Sequence, residues 1–173
     1  MIDFFKNTLL AFKLKKNLKT LQNKKKKKIT SFKSLVIIVY ENDLDEDFLL
    51  LFAKSLKISV NKVFIIVLNH NKTNITNTKF KRRINISKKE ISMSGKIKKD
   101  TFSVFDKEFD LLINFFDQKE ILPEFISSKC FSKLRLGFSK ANPKINDIVF
   151  NFDLNEKRTF LSESIYYLNS FIK

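Results

Sequence analysis

The sequence predicts a single three-layer α/β domain: a mostly parallel sheet of about five strands, helices on both faces, and a basic helix in front. Three observations point there. Residues 34–40, SLVIIVY, form an uninterrupted, β-branched apolar run, as expected of a strand buried on both faces. Residues 62–68 repeat that pattern after an intervening segment of helical period. Residues 109–142, FDLLINFFDQKEILPEFISSKCFSKLRLGFSKAN, then place strand, helix and strand within about thirty residues, which is a βαβ unit.

The elements follow in order. Residues 2–22 suit a helix, with one apolar stripe of Ile2, Phe5, Leu9 and Phe12 and a second of Leu10, Leu14, Leu18 and Leu21. Five lysines in a row, Lys24, Lys25, Lys26, Lys27 and Lys28, follow as a hinge. The expected division is a basic amphipathic helix and lysine-rich linker over 1–33 and an α/β domain over 34–173. After the first strand, the acids of 41–47 precede Phe48, Leu49, Leu51, Phe52 and Leu56, a helix whose first turn carries dipole-favouring carboxylates. Residues 69–88 show no clear period and suggest a long loop or an irregular edge. A short edge strand is expected at 91–98 around Gly95, and a short helix at 100–108. In the central unit, Leu111 to Phe116 is a strand. Asp117 is placed to cap the next helix, with Glu120 three residues on, and that helix carries Ile121, Leu122, Phe125 and Ile126 on one face. Residues 133–138 are the next strand, Asn142-Pro143 a turn, 147–152 a final strand and 155–171 a closing helix. The alternation as a whole is Rossmann-like.

Composition narrows function mainly by exclusion. The chain has 173 residues and two glycines, Gly95 and Gly137. A dinucleotide-binding GxGxxG and a phosphate-binding P-loop both need more glycines, so neither is present in its ordinary form. One cysteine, Cys130, excludes an intramolecular disulfide and a multi-cysteine zinc site. His70 has no acid beside it in sequence to make it a base or a metal ligand. No cofactor and no metal are expected. The N-terminus lacks a signal-peptide pattern and no apolar run is long enough to span a bilayer, so the cytoplasm is the expected compartment.

The formal charge of +16 is concentrated. Residues 1–33 hold eleven lysines and one aspartate, net +10, and residues 79–99 hold nine cations and one glutamate, net +8, which leaves −2 for the rest. Lysine and arginine pair with phosphates, and Phe80, inside KFKRRINISKK, is of a type that stacks on bases. Two such segments suggest RNA, or a ribonucleoprotein particle, as partner. The candidate contacts are Lys13, Lys15, Lys16, Lys19 and Lys24 through Lys28, with Lys79, Lys81, Arg82, Arg83, Lys88 and Lys89. On this reading the protein is not an enzyme, and two others stand beside it, the first a small-ligand-binding or glycosyltransferase-like enzyme module at the sheet edge. Open α/β sheets bind ligands beyond the C-terminal ends of their strands. Asp43, Asn114, Asp117, Ser139 and Asn142 are candidates for that edge, where Lys140 would meet an anion. Alternatively, the N-terminal helix attaches the protein to an anionic membrane surface.

The patterns FDLLINFFD, LPEFISSKCFSKLRLGFSKAN and NDIVFNF resemble an uncharacterised family of small Bacteroidetes proteins, a domain of unknown function. The basic helix and the SLVIIVY strand extend that likeness over nearly the whole chain. The central unit is also similar to the N-terminal half of heptosyltransferase-like glycosyltransferases, where DLLIN-like and KLRLGF-like strands flank a helix. That second resemblance implies the fold and carries no activity over.

Overall fold

The computed structural model describes residues 2–23, 28–69, 78–92, 94–97 and 102–172. Six strands form one parallel sheet: β1 (Leu35–Tyr40), β2 (Val63–Asn69), β3 (Arg83–Ser87), β4 (Glu108–Phe115), β5 (Phe131–Phe138) and β6 (Ile148–Phe150). Their spatial order is β3-β2-β1-β4-β5-β6, the doubly wound order with its switch point between β1 and β4. The helices are α1 (Ile2–Gln22), α2 (Glu46–Ser55), the single turn α3 (Phe102–Phe105), α4 (Ile121–Lys129) and α5 (Lys157–Phe171). Among the described residues, no helix is long and apolar enough to cross a membrane.

The strand side chains alternate between two apolar layers, as the pleat requires. On one face Ile37, Val39, Ile65, Ile113, Phe115 and Phe138 meet Phe48 and Phe52 of α2 and Phe160 and Leu168 of α5. Phenylalanine fills this layer: the Phe160 ring stacks on Phe138 at 4.9 Å and meets Phe115 and Phe150 edge-on. On the other face Val36, Ile38, Ile66, Leu112 and Phe116 pack with Leu10 of α1, Val104 and Phe105 of α3, and Phe125 and Ile126 of α4. Leu10 belongs to one layer, while Ile29 and Phe32 belong to the other.

Three expectations change in detail. The segment after residue 69 contains a sixth strand, β3, which pairs with β2 at the sheet edge from Arg83 to Ser87. Residues 91–97 do not join the sheet: Ile91 and Ile97 make one antiparallel bridge across a turn at Gly95, whose φ of 70° suits glycine. Asp117 does not cap α4. That helix begins at Ile121, with Glu120 at the cap position and no side-chain cap bond. Pro123 sets the start: in the first turn its missing N–H costs nothing, whereas a helix capped by Asp117 would hold it in the interior and lose a hydrogen bond. By contrast, Asp45 caps α2, accepting from Phe48 N–H at 3.0 Å and from Lys157 Nζ at 2.8 Å, which ties α5 to the start of α2.

Candidate functional site

Two surfaces hold the candidate residues. The first is an open cleft of about 490 Å³ at the switch point, where β1 runs into a 3₁₀ turn at Glu41–Asp43 and β4 into Phe116, Asp117 and Gln118. Parallel strands whose crossovers leave in opposite directions part here, and the gap is the fold's usual ligand position. Its lining is acidic, with Glu41, Asp43, Asp117 and Glu120 around Tyr40, Asn42, Leu68 and Leu154. Burial, and then the Asp117 charge, raise the Asp43 carboxyl above its ordinary value, with Lys157 opposing. The Tyr40 hydroxyl donates to Glu120 Oε2 at 2.5 Å. Burial, followed by that bond and the Glu120 charge, pushes its pKa far up, so it remains a donor.

Of the five edge residues expected from the sequence, Asp43 and Asp117 meet in this cleft. The other three are engaged elsewhere. Asn114 is fully buried and donates to Asn146 Oδ1 at 2.7 Å, beneath Gly137, where a Cβ would overlap the Asn146 amide. Asn142 donates to Glu124 Oε2 at 2.9 Å, and Ser139 to Asn151 Oδ1 at 2.8 Å. Lys140 forms an ion pair with Asp153. Tyr40, Glu41 and Glu120 were not anticipated as cleft residues; Tyr40 closes β1, Glu41 follows it directly, and Glu120 stands at the cap position of α4, where no local signal marks it for the cleft. Cys130 is buried, and burial pushes its thiol up to about 12, so no thiolate forms near neutral pH. The Arg135 guanidinium beside it donates to Ser127 O at 3.1 Å and to Cys130 O, closing the carbonyl end of α4. Among the described residues, no group of three or more His, Cys, Asp or Glu is placed to hold a metal ion; His70 lies outside them.

The second surface is basic. Leu10 and Leu14 of α1 are buried, Leu18 is partly so, and Asn17 Nδ2 donates to Ser128 Oγ of α4 at 3.0 Å. That docking turns Lys15, Lys16 and Lys19 to solvent and leaves Lys13 half-buried. The same helix meets the second basic segment. Lys6 Nζ donates to Lys88 O at 2.5 Å, and Lys13 lies so close to Gly95 that a Cβ there would stand 2.8 Å from its Cδ. Lys89 is exposed beside Lys88.

The start of the second segment is arranged differently. Phe80 is fully buried in the α2–α5 layer, so it offers no ring to a base. Arg83 is 7% exposed and its Nη1 lies 3.4 Å from Glu46 Oε1; it is a structural ion pair on β3 and not a surface contact. Lys79 pairs with Asp47, and its backbone N–H donates to Glu46 Oε2 at 2.7 Å. Lys81, Arg82 and Lys28 are exposed, and Lys24 through Lys27 lie outside the described residues.

No curated protein and no solved structure matches the chain. A family model, described as a family of unknown function (DUF6913), matches residues 6–171, which takes in α1 from Lys6 on and the whole sheet. The chain belongs to that family.

Proposed function

We propose that this chain is a non-enzymatic, cytoplasmic RNA-binding module whose interface is the basic face formed by α1 and residues 88–92 and 94–96. One observation carries the reading: the two positive segments, distant in sequence, meet through Lys6 with Lys88 and Lys13 with Gly95. The two charged segments therefore adjoin, with exposed Lys16 on the flank of α1 nearer Lys88 and Lys89, and Lys19 and Lys15 further round its outward surface. Lys79 and Arg83 drop out because acids of α2 already hold them. Each neutralised phosphate releases counterions, so affinity falls linearly with salt on logarithmic axes. With about five lysines on a single strand the slope is roughly −3.5. Changing Lys15, Lys16 and Lys19 together to Gln flattens that slope by about 2 and leaves the fold intact, because all three are exposed. Absence of RNA binding at about 50 mM salt would refute the proposal.

The cleft favours a second reading, a small-ligand site. Four carboxylates repel the pyrophosphate of a nucleotide or nucleotide sugar, and no glycine lines the cleft to cradle one, which speaks against a nucleotide-sugar site. A cationic ligand suits the lining. A shift of the Asp43 and Asp117 side-chain NMR signals on titration with an amine series supports this reading, and its absence removes it.

A further inference from the structure

We infer that the outward face of α1 is a base-stacking platform, so that the polyanion it takes is single-stranded RNA with unpaired bases. This rests on the RNA reading of the same face and names its substrate class. Phe4, Phe5 and Phe12 are 72%, 58% and 69% exposed, although large apolar residues elsewhere in the chain mostly fill the two core layers. At about 100° per residue, Phe5, Phe12, Lys16 and Lys19 fall in a sector only about 60° wide, with the two rings about 10 Å apart along the axis. Lys16 lies one turn beyond Phe12, about 6 Å along the axis, so that ring has an ammonium on its own face, while Phe5 extends the same face about two turns toward the N-terminus.

That mixture selects the ligand. A single-stranded nucleotide offers a charged phosphate and an open π-face together, whereas a duplex hides its bases and presents phosphates alone. It also weighs against insertion into lipid. Interfacial helices sort their apolar and charged residues onto opposite faces. Apolar residues in α1 are spread around the helix: the stripe of Leu10, Leu14 and Leu18 is spent on the domain, and the other, with Phe5 and Phe12, shares its face with Lys16 and Lys19. Sinking Phe5 and Phe12 into the acyl layer would drag Lys16 and Lys19 toward it, at a desolvation cost.

The test compares a fluorescein-labelled U12 RNA, a 12-base-pair RNA duplex and vesicles of phosphatidylcholine with phosphatidylglycerol. The proteins are the full chain, the Phe5→Ser/Phe12→Ser double variant and Phe12→Trp. The wild type is expected to prefer U12 to the duplex. The double variant is expected to lose about tenfold or more on U12 for each stacked base, with duplex affinity and salt slope unchanged. Phe12→Trp keeps the affinity and, in a chain without tryptophan, supplies an emission that stacking quenches. Both rings are exposed, so the melting temperature should hold; if the double variant melts early, the quenching of Phe12→Trp decides alone. Equal U12 affinity in wild type and double variant, or no quenching, overturns the platform while RNA binding by lysines stands. No binding of either RNA at about 50 mM salt overturns both. Vesicle binding that is lost in the double variant, with a blue-shifted Phe12→Trp emission and no RNA binding, gives the face to a membrane and overturns the inference.

Discussion

Asp110 pins three strands at the N-terminal edge of the sheet, and its removal has a calculable effect. Its Oδ2 accepts from Lys33 N–H at 2.9 Å, Ser34 N–H at 3.0 Å and Ser34 Oγ at 3.0 Å, while Oδ1 lies 2.6 Å from Lys133 Nζ of β5. Asp110→Ala leaves two backbone donors and a lysine without their acceptor. Hydrogen bonds to a charged group contribute about 1.5–3 kcal/mol each, but Lys33 is exposed and Lys133 is partly solvated, so a total near 3 kcal/mol is reasonable. For a chain of this size that lowers the melting temperature by roughly 6–12 °C. Asp110→Asn keeps an acceptor and loses the charge, at a cost of about 1 kcal/mol. Burial raises the Asp110 carboxyl, but bonds from Lys133, Lys33 and Ser34 outweigh it and the net shift is downward. A lowered folded-state pKa gives stability that is present above the unfolded value near 4 and is lost as pH falls through the folded value. The gap between wild type and Asp110→Asn should therefore be full at neutral pH and close below about pH 4. Thermal melts followed by far-ultraviolet circular dichroism across pH 2–7 measure this. An alanine variant within 1–2 °C of wild type, or parallel pH profiles for wild type and Asp110→Asn, would refute the reasoning.

Two further outcomes follow from the same contacts. Truncating the chain to begin at residue 34, the boundary suggested by the lysine run, removes Leu10 from one layer and Ile29 and Phe32 from the other. The truncated domain is expected to lose about 4 kcal/mol or more and to bind a hydrophobic dye, and an unchanged urea midpoint would make the first 33 residues an appendage. Asp117→Asn should alter stability by less than about 0.5 kcal/mol, because Asp117 caps nothing, and should lower the Asp43 pKa by removing a neighbouring charge. A loss near 1 kcal/mol, or an unmoved Asp43 titration by NMR, contradicts that account.

The sheet was legible because strands buried on both faces spell themselves out: LVIIV and VFIIVL run without a polar residue until their last position, Tyr40 or Asn69. RINIS was harder, being five residues long, half-exposed at the edge and set inside a run of cations. The α4 boundary was written in Pro123, yet the capping pattern at Asp117 and Glu120 is equally good locally, and only the helix interior's intolerance of proline decides. The docking face of α1 could not be read at all, since its two apolar stripes are of similar strength and the choice depends on α4. Partnerships across the fold were equally hidden. Glu46 and Arg83 are 37 residues apart, and Tyr40 and Glu120 are 80 apart, so neither pair leaves a local trace. Strand-end position alone was enough to place Asp43 and Asp117. It failed for Asn114, which lies within β4 and not past its end.

The opposite charges of the two surfaces bear on how they could work together. In a doubly wound sheet an anion usually finds its site at the switch point, on a glycine-rich turn and a helix N-terminus. Here that turn is Glu41-Asn42-Asp43, which repels phosphate, while lysines are carried by α1 and by Lys88, Lys89 and Lys96. If the proposed RNA reading holds, a polyanion would be steered toward the α1 face and away from the cleft. Changing Asp43 and Asp117 together to Asn removes two of the four cleft carboxylates without touching a lysine of the basic face. Steering by the whole field then predicts a modest rise in the RNA association rate at low salt, fading as salt screens it, with the dissociation rate unchanged. Stopped-flow kinetics separates the two rates. A change in dissociation instead would mean that the RNA touches the cleft, and that the two surfaces form one site.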